Sequence, residues 1–491
     1  MHKTVLLLSA CALSLLPTST NTLAQTKDET SFAKDAAILR ESLEALYPSL
    51  NRYGQQDAVY NALNRLENSA QRKTDTLSFY RAVVDVTVAT KDEHVIPFPS
   101  DAFRNERRTK SEMLPYTIRW IDNDPFISAV ADPIHSALVG KRVVQFDGMA
   151  VQSVTNTLRA SIPSDGRSQT FAFRRLQDFT PTQNENYFDL NYPLWFGARR
   201  AYEVTIEDQR GSAIKATLEA LDWRAFSAFY RERLSRDAPI SFDWIRPKVG
   251  YLLILSFHDW YYEEHRIDPQ KHLARIFEEL HKHDGAQLIL DLRRNEGGGD
   301  VSSDLLDYLL QEPFVEYDAV LTRFVGKPKA ARYCENSADV AFNPEWAEPF
   351  EDGLFKLKAE FANLITGATP REPRDKAFDG ELIVLISGAT GSAAAKVASV
   401  LEREDRAIFI GEETGGAAAG ATAYGYCSLR LPHSDVRVDI PLIRFERSSE
   451  IPYGRGVLPN IEVDAGRTPP LARSDEPLEK ALRLLSSRTH Q

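Results

Sequence analysis

The chain has 491 residues, of which 43% are hydrophobic, 10% aromatic and 26% charged, the balance of a globular protein with room for about three domains. That balance excludes a disordered, collagen-like or membrane-embedded chain. Lys and Arg number 59 and Asp and Glu 70, so the formal net charge of −11 repels phosphate backbones and argues against general nucleic-acid binding.

The apolar run from Thr4 to Leu16 is shorter than the roughly 20 residues a membrane-spanning helix needs, and it follows a basic start, so it reads as a signal-peptide core. Thr22-Leu23-Ala24 suits cleavage, which predicts a signal peptide over 1–24, a mature start at Gln25 and a periplasmic or secreted protein. Leu8-Ser9-Ala10-Cys11 also fits a bacterial lipobox, the competing reading being a lipoprotein anchored through Cys11, but apolar residues continue past that cysteine. No later run is long enough to span a bilayer. Cys334 and Cys427 remain in the mature chain, either as one disulfide or as two thiols.

Residues 25–100 have helical spacing at Phe32, Ala36, Leu39, Leu43 and Leu46, then Leu63, Leu66, Leu77, Tyr80, Val83 and Val84. The last of these helices ends near Lys91-Asp92-Glu93-His94, which leaves His94 just past a helix end. Residues 110–222 change to short alternating runs and predict a small β-rich domain. Over 240–470, near-continuous apolar strands at Tyr251 to Leu255, Leu288 to Leu292, Leu382 to Ile386 and Ala407 to Ile410 alternate with helices, the pattern of an α/β core. Within it, 313–376 is irregular and charged and reads as an insertion or lid; 471–491 closes the chain with a helix.

Ser392 follows the strand Leu382 to Ile386 at a strand-to-helix turn, where a hydroxyl projects and backbone N–H groups converge, although on spacing alone an ordinary helix N-cap is the favoured reading. The loop Asp291 to Gly299, with three successive glycines, lets backbone approach a ligand closely and suits one wall of an oxyanion hole. Among the 10 histidines, His94 and His258 have contexts suited to a general base. Lys396, four residues past Ser392, is the nearest lysine in sequence. No HExxH or CxxC spacing exists, so neither a metal nor another cofactor is expected.

In their order along the chain, Leu46-Tyr47-Pro48, Lys91 to His94, Leu138-Val139-Gly140-Lys141, Phe146-Asp147-Gly148, the Asp291 to Gly299 loop, Thr390-Gly391-Ser392-Ala393-Ala394, Gly411 to Gly416 and Gly456-Val457-Leu458-Pro459-Asn460 resemble the serine peptidase family of the tail-specific C-terminal processing proteases and the tricorn protease core. The resemblance implies a Clp/crotonase-like catalytic core behind a PDZ-like domain and a helical N-terminal domain. It implies Ser392 as nucleophile and the N–H groups of Ala393, Gly297 and Gly298 as oxyanion donors. The lysine of the tail-specific branch is replaced by Ala417, so the match is nearer the tricorn-like branch, in which His94 is the base and Glu450 or Glu93 a possible support. Ala395 stands where the family commonly has glutamate. The expected activity is hydrolysis of unstructured proteins or peptides, the PDZ-like domain delivering them; the alternative is an inactive peptide-binding or hydrophobic-ligand-binding protein on the same scaffold.

Overall fold

The computed structural model describes residues 29–72, 74–177, 187–207, 211–231, 238–362, 369–468, 471–472 and 474–488. The signal peptide over 1–24, and with it the alternative at Cys11, lies outside the described residues.

Helices Glu29–Leu46, Gln56–Ala70 and Thr76–Ala89 bury the expected apolar positions against one another, among them Ala36, Leu39, Leu43, Leu63, Leu66, Val83 and Val84. Asp75 caps the third helix, its carboxylate accepting the Ser78 N–H at 2.7 Å. Beyond that helix Lys91 adopts a left-handed φ of 52°, which turns the chain sharply and carries Asp92, Glu93 and His94 off the helix end. Strand Ile96–Phe98 then pairs antiparallel with the long strand Arg437–Glu446, which fastens this turn to the distant C-terminal half.

Strands Tyr116–Ile121, Asp124–Val130, Arg142–Phe146, Ala201–Glu207 and Ala213–Glu219 form a separate antiparallel sheet around Tyr116, Trp120, Phe146 and Phe188. The outer edge of its first strand is closed at Trp120, whose N–H donates to Gln177 and whose carbonyl accepts from Arg174.

The central sheet has the order Ile461–Glu462, Ile408–Gly411, Leu382–Ile386, Gln287–Asp291, Val249–Ile254, Ile240–Arg246, parallel except for the last pair. Its central strands are apolar on both faces because both faces are covered: Leu288, Leu290, Val384 and Ile386 pack under the helices Pro269–His281, Val301–Leu309 and Ser392–Arg403, while Ile289, Ile383 and Leu385 pack under Glu476–Arg488. This is the α/β arrangement expected. The 313–376 segment contributes strands Ala319–Thr322, Ala347–Pro349 and Phe355–Leu357 to the sheet that Arg437–Glu446 and Thr422–Arg430 also build, and Cys334 is bonded to Cys427 within this region. Among the described residues no helix is long and apolar enough to cross a membrane.

Candidate active site

The strand Leu382–Ile386 ends in a turn whose hydrogen bonds leave it little freedom. Ser387 Oγ donates to the Arg293 carbonyl at 2.6 Å, Thr390 Oγ1 to the Leu292 carbonyl at 2.9 Å, and the Gly391 N–H to the Asn295 carbonyl at 3.1 Å. The buried Asn295 in turn donates to the Ile254 carbonyl and accepts from the Gly297 N–H at 2.8 Å, so turn and glycine loop form one rigid unit. Ser392 sits at its apex with φ of 44°, a left-handed conformation that costs an L-residue roughly 1–2 kcal/mol and holds the side chain out of the helix. The helix Ser392–Arg403 has Gly391 as its N-cap, with no side-chain cap. Ser392 is therefore not a capping residue: its hydroxyl faces His94 Nε2 at 3.2 Å.

His94 is 9% exposed, and its Nδ1 lies 3.6 Å from Asp92 Oδ1, just beyond hydrogen-bond distance. Asp92 is locked by the Tyr47 hydroxyl at 2.6 Å and the His94 N–H at 2.9 Å. The group facing Nδ1 is thus the aspartate of the Lys91 to His94 stretch rather than either glutamate expected to support it. Glu93 points the other way and accepts the Ser392 N–H at 3.3 Å. Glu450 is carried off to Glu402, near the far end of the helix Ser392–Arg403, because the chain after Arg437–Glu446 is tied down where Asp318 accepts from Ser448; Glu450 does not join the site.

Three side chains without any local signal in the sequence complete the centre, all from the segment after the helix Val151–Arg159. Asp165 is buried, accepting from the Glu93 N–H at 3.0 Å and the Ala417 N–H at 3.3 Å. Arg175 is ion-paired with Glu296 of the glycine loop, and Phe171 lines the cavity. Gly388 and Gly415 admit this segment, since a Cβ on either would fall within 2.6 Å of Thr170 or Phe171.

Crowded carboxylates set the electrostatics. Burial, then the Asp165 charge, pushes the Glu93 carboxyl up to about 7. Burial alone would depress His94, but contact with Asp92 and the charges of Glu93, Asp92 and Asp165 overcome it and raise the imidazole to about 9. Asp92 is also opposed by burial, yet His94 and the Tyr47 hydroxyl hold it below the usual carboxylate range. Asp92, His94 and Asp165 are also the group among the described residues with ligand atoms close enough for a metal ion, all within 4.8 Å of one another, although His94 Nε2 and the carboxylates are already engaged as described.

Of the expected oxyanion donors, Gly297 spends its N–H on Asn295, while the Gly298 and Ala393 N–H groups have no backbone acceptor among the described residues. Gly298 has φ of 136°, and a Cβ there would sit 2.3 Å from His258 N, so only glycine allows the loop to lie this close. The cavity beside Ser392 has a volume of about 570 Å³, with Glu93, His94, His258, Trp260, Tyr424 and Arg447 among its walls. Ala395 packs within 2.7 Å of where a Cβ on Gly416 would stand, so the small side chain fits a tight helix-to-loop contact. Lys396 turns away from Ser392: its Nζ is buried against Glu316 at 2.6 Å and Ser303 Oγ at 2.7 Å.

No curated protein sequence matches the chain. Among solved structures, mature CPAF is similar over 93% of this chain and 97% of its own, with 14% identity and a TM-score of 0.60. Mature CPAF complexed with lactacystin matches 93% of this chain and 98% of its own at 15% identity and a TM-score of 0.61. The photosystem II D1 C-terminal processing protease matches 91% of this chain and 95% of its own at 14% identity and a TM-score of 0.42. Residues 248–463, which hold the glycine loop and Ser392, match the model of peptidase family S41. The α/β core over residues 248–463 is thus matched to peptidase family S41, the match that supports a serine peptidase.

Proposed function

We propose that the protein is an exported endopeptidase that cleaves unstructured polypeptides through an acyl-enzyme on Ser392 with His94 as general base. The observation that carries this reading is the 3.2 Å approach of His94 Nε2 to a serine hydroxyl held at a left-handed strand-to-helix turn. Neutral His94 takes the proton as Ser392 Oγ attacks the scissile carbonyl, and the Gly298 and Ala393 N–H groups receive the negative oxygen of the tetrahedral intermediate. His94 then gives that proton to the departing amine; water, activated by the same imidazole, releases the acyl group and regenerates the serine. Asp92 orients the ring from the Nδ1 side and stabilises its charged form.

Labelling with a fluorophosphonate probe and peptide mapping tests the assignment. Modification at Ser392, abolished in Ser392→Ala, is expected; labelling of another serine, or none in folded protein, refutes it. His94→Ala is expected to lower turnover at least about a hundredfold. Intact-mass measurement of exported protein checks the leader: a mature start at Gln25 is expected, and a diacylated Cys11 would overturn it.

A further inference from the structure

Four buried or part-buried arginines around the catalytic centre each face a carboxylate: Arg52 meets Glu446 at 3.5 Å, Arg174 meets Glu412, Arg175 meets Glu296 and Arg293 meets Asp475 at 2.7 Å. Arg447 is different. It is 4% exposed and lines the cavity beside Ser392, yet it has no ion-pair partner among the described residues. Its Nε donates to the Glu316 carbonyl at 2.8 Å, its Nη1 to the Ala418 carbonyl at 3.0 Å, and its guanidinium carbon lies 4.9 Å from the centre of the Tyr317 ring. The neighbouring Glu316 carboxylate is taken by Lys396. These contacts, with a side-chain hydrogen bond to Tyr317, hold the guanidinium in a fixed orientation and leave it without a direct ion pair, its charge met only from farther off by Glu316 and Asp318, an arrangement that an anion in the cavity would complete. Its Nη2 makes no hydrogen bond to a carbonyl or carboxylate among the described residues, and a guanidinium fork is suited to a planar carboxylate.

The cavity has room for such a group. Ala395, one turn beyond Ser392 on the same helix, and Ala421 and Ala423 give the cavity that Ser392 and Arg447 share small side chains, while Tyr317 and Phe445 also line it, their ring centres 4.6 Å apart and tilted by 31°. We propose that this wall is a specificity subsite in which Arg447 binds a carboxylate of the substrate, an acidic side chain on a residue flanking the scissile bond. The inference rests on the peptidase reading above and adds to it a preference among substrates.

The test uses the full-length mature protein and fluorogenic peptides that differ at the residue before or after the cleaved bond, carrying Glu, Gln or Leu. A second pair differs only in a free or amidated C-terminus, which separates an acidic side chain from a chain-end carboxylate. The expected result is at least a tenfold higher kcat/KM for Glu over Gln at one of the two positions, with the ratio falling to about one in Arg447→Gln and in Arg447→Met. A wild-type enzyme that cleaves Glu, Gln and Leu peptides alike overturns the proposal without any variant having to fold, as does a Glu preference that survives loss of the guanidinium. A preference seen only in the chain-end pair and lost with Arg447 keeps the carboxylate and replaces the side-chain source. Absence of all cleavage, with Ser392 unlabelled, would instead refute the underlying peptidase assignment.

Discussion

Glu93→Gln isolates what the crowded carboxylates do to the base. The substitution removes one negative charge but retains an amide oxygen that can still accept the Ser392 N–H, so the turn need not move. An imidazole ordinarily titrates near 6.5, whereas that of His94 is raised to about 9. At pH 7 a base with that value is neutral in only about one molecule in a hundred, and kcat/KM should climb roughly tenfold per pH unit over much of the range below 9. Beside the contact with Asp92, the charge of Glu93 does most to hold the proton on the ring, ahead of the charges of Asp92 and Asp165. A contacting opposite charge shifts a titration by about 1–3 units, so its removal should bring the limb down by at least about one unit; at pH 7, where the Glu93 carboxyl, itself at about 7, is only about half ionised, the gain in kcat/KM is a few-fold. The assay is kcat/KM on one uncharged peptide from pH 5.5 to 10 for both enzymes, since that ratio reports the free enzyme's groups. A limb that stays in place or moves upward in Glu93→Gln, with Ser392 still labelled, would refute the electrostatic account. A wild-type limb at 6 to 7 would refute it as well.

Lys396→Ala is expected to destabilise the protein by about 3 kcal/mol, because it leaves the buried Glu316 carboxylate with only the 3.7 Å approach of Arg371, and Lys396→Met with Glu316→Leu should recover much of that loss in a chemical denaturation series. Gly298→Ala should either abolish soluble folded protein or, where it folds, lower kcat far more than it raises KM, because the new Cβ collides with Phe257 and His258 backbone at the oxyanion loop; unchanged kcat would remove Gly298 from that role. Reducing the Cys334 to Cys427 bond, which links residues 93 apart, should lower stability by about 2–4 kcal/mol, read as a drop in denaturation midpoint under reductant that a Cys334→Ala, Cys427→Ala variant does not show.

Local pattern was enough for the parts of the site that one short segment builds. The buried strand before Ser392 and the small residues around it mark a strand-to-helix turn, and the three glycines after Asn295 mark a loop able to approach another backbone, because both demands act within a few residues. His94 was legible as a histidine just past a helix end, and Asp92 two residues earlier carried the only local hint of what orients it. Spacing could not decide between a capping serine and an exposed one; that depended on Gly391 assuming the N-cap and on His94 arriving from nearly 300 residues away in the chain. Nor could it find Asp165, Phe171 and Arg175, whose segment enters the centre only because Gly388 and Gly415 leave space where a Cβ would collide. Lys396 and Arg447 make the same point for charge. Nothing near either in sequence says that one is ion-paired with Glu316 while the other has no direct ion pair among the described residues, because burial in a low-dielectric interior gives those pairings their weight, and only the tertiary packing sets which groups share that interior.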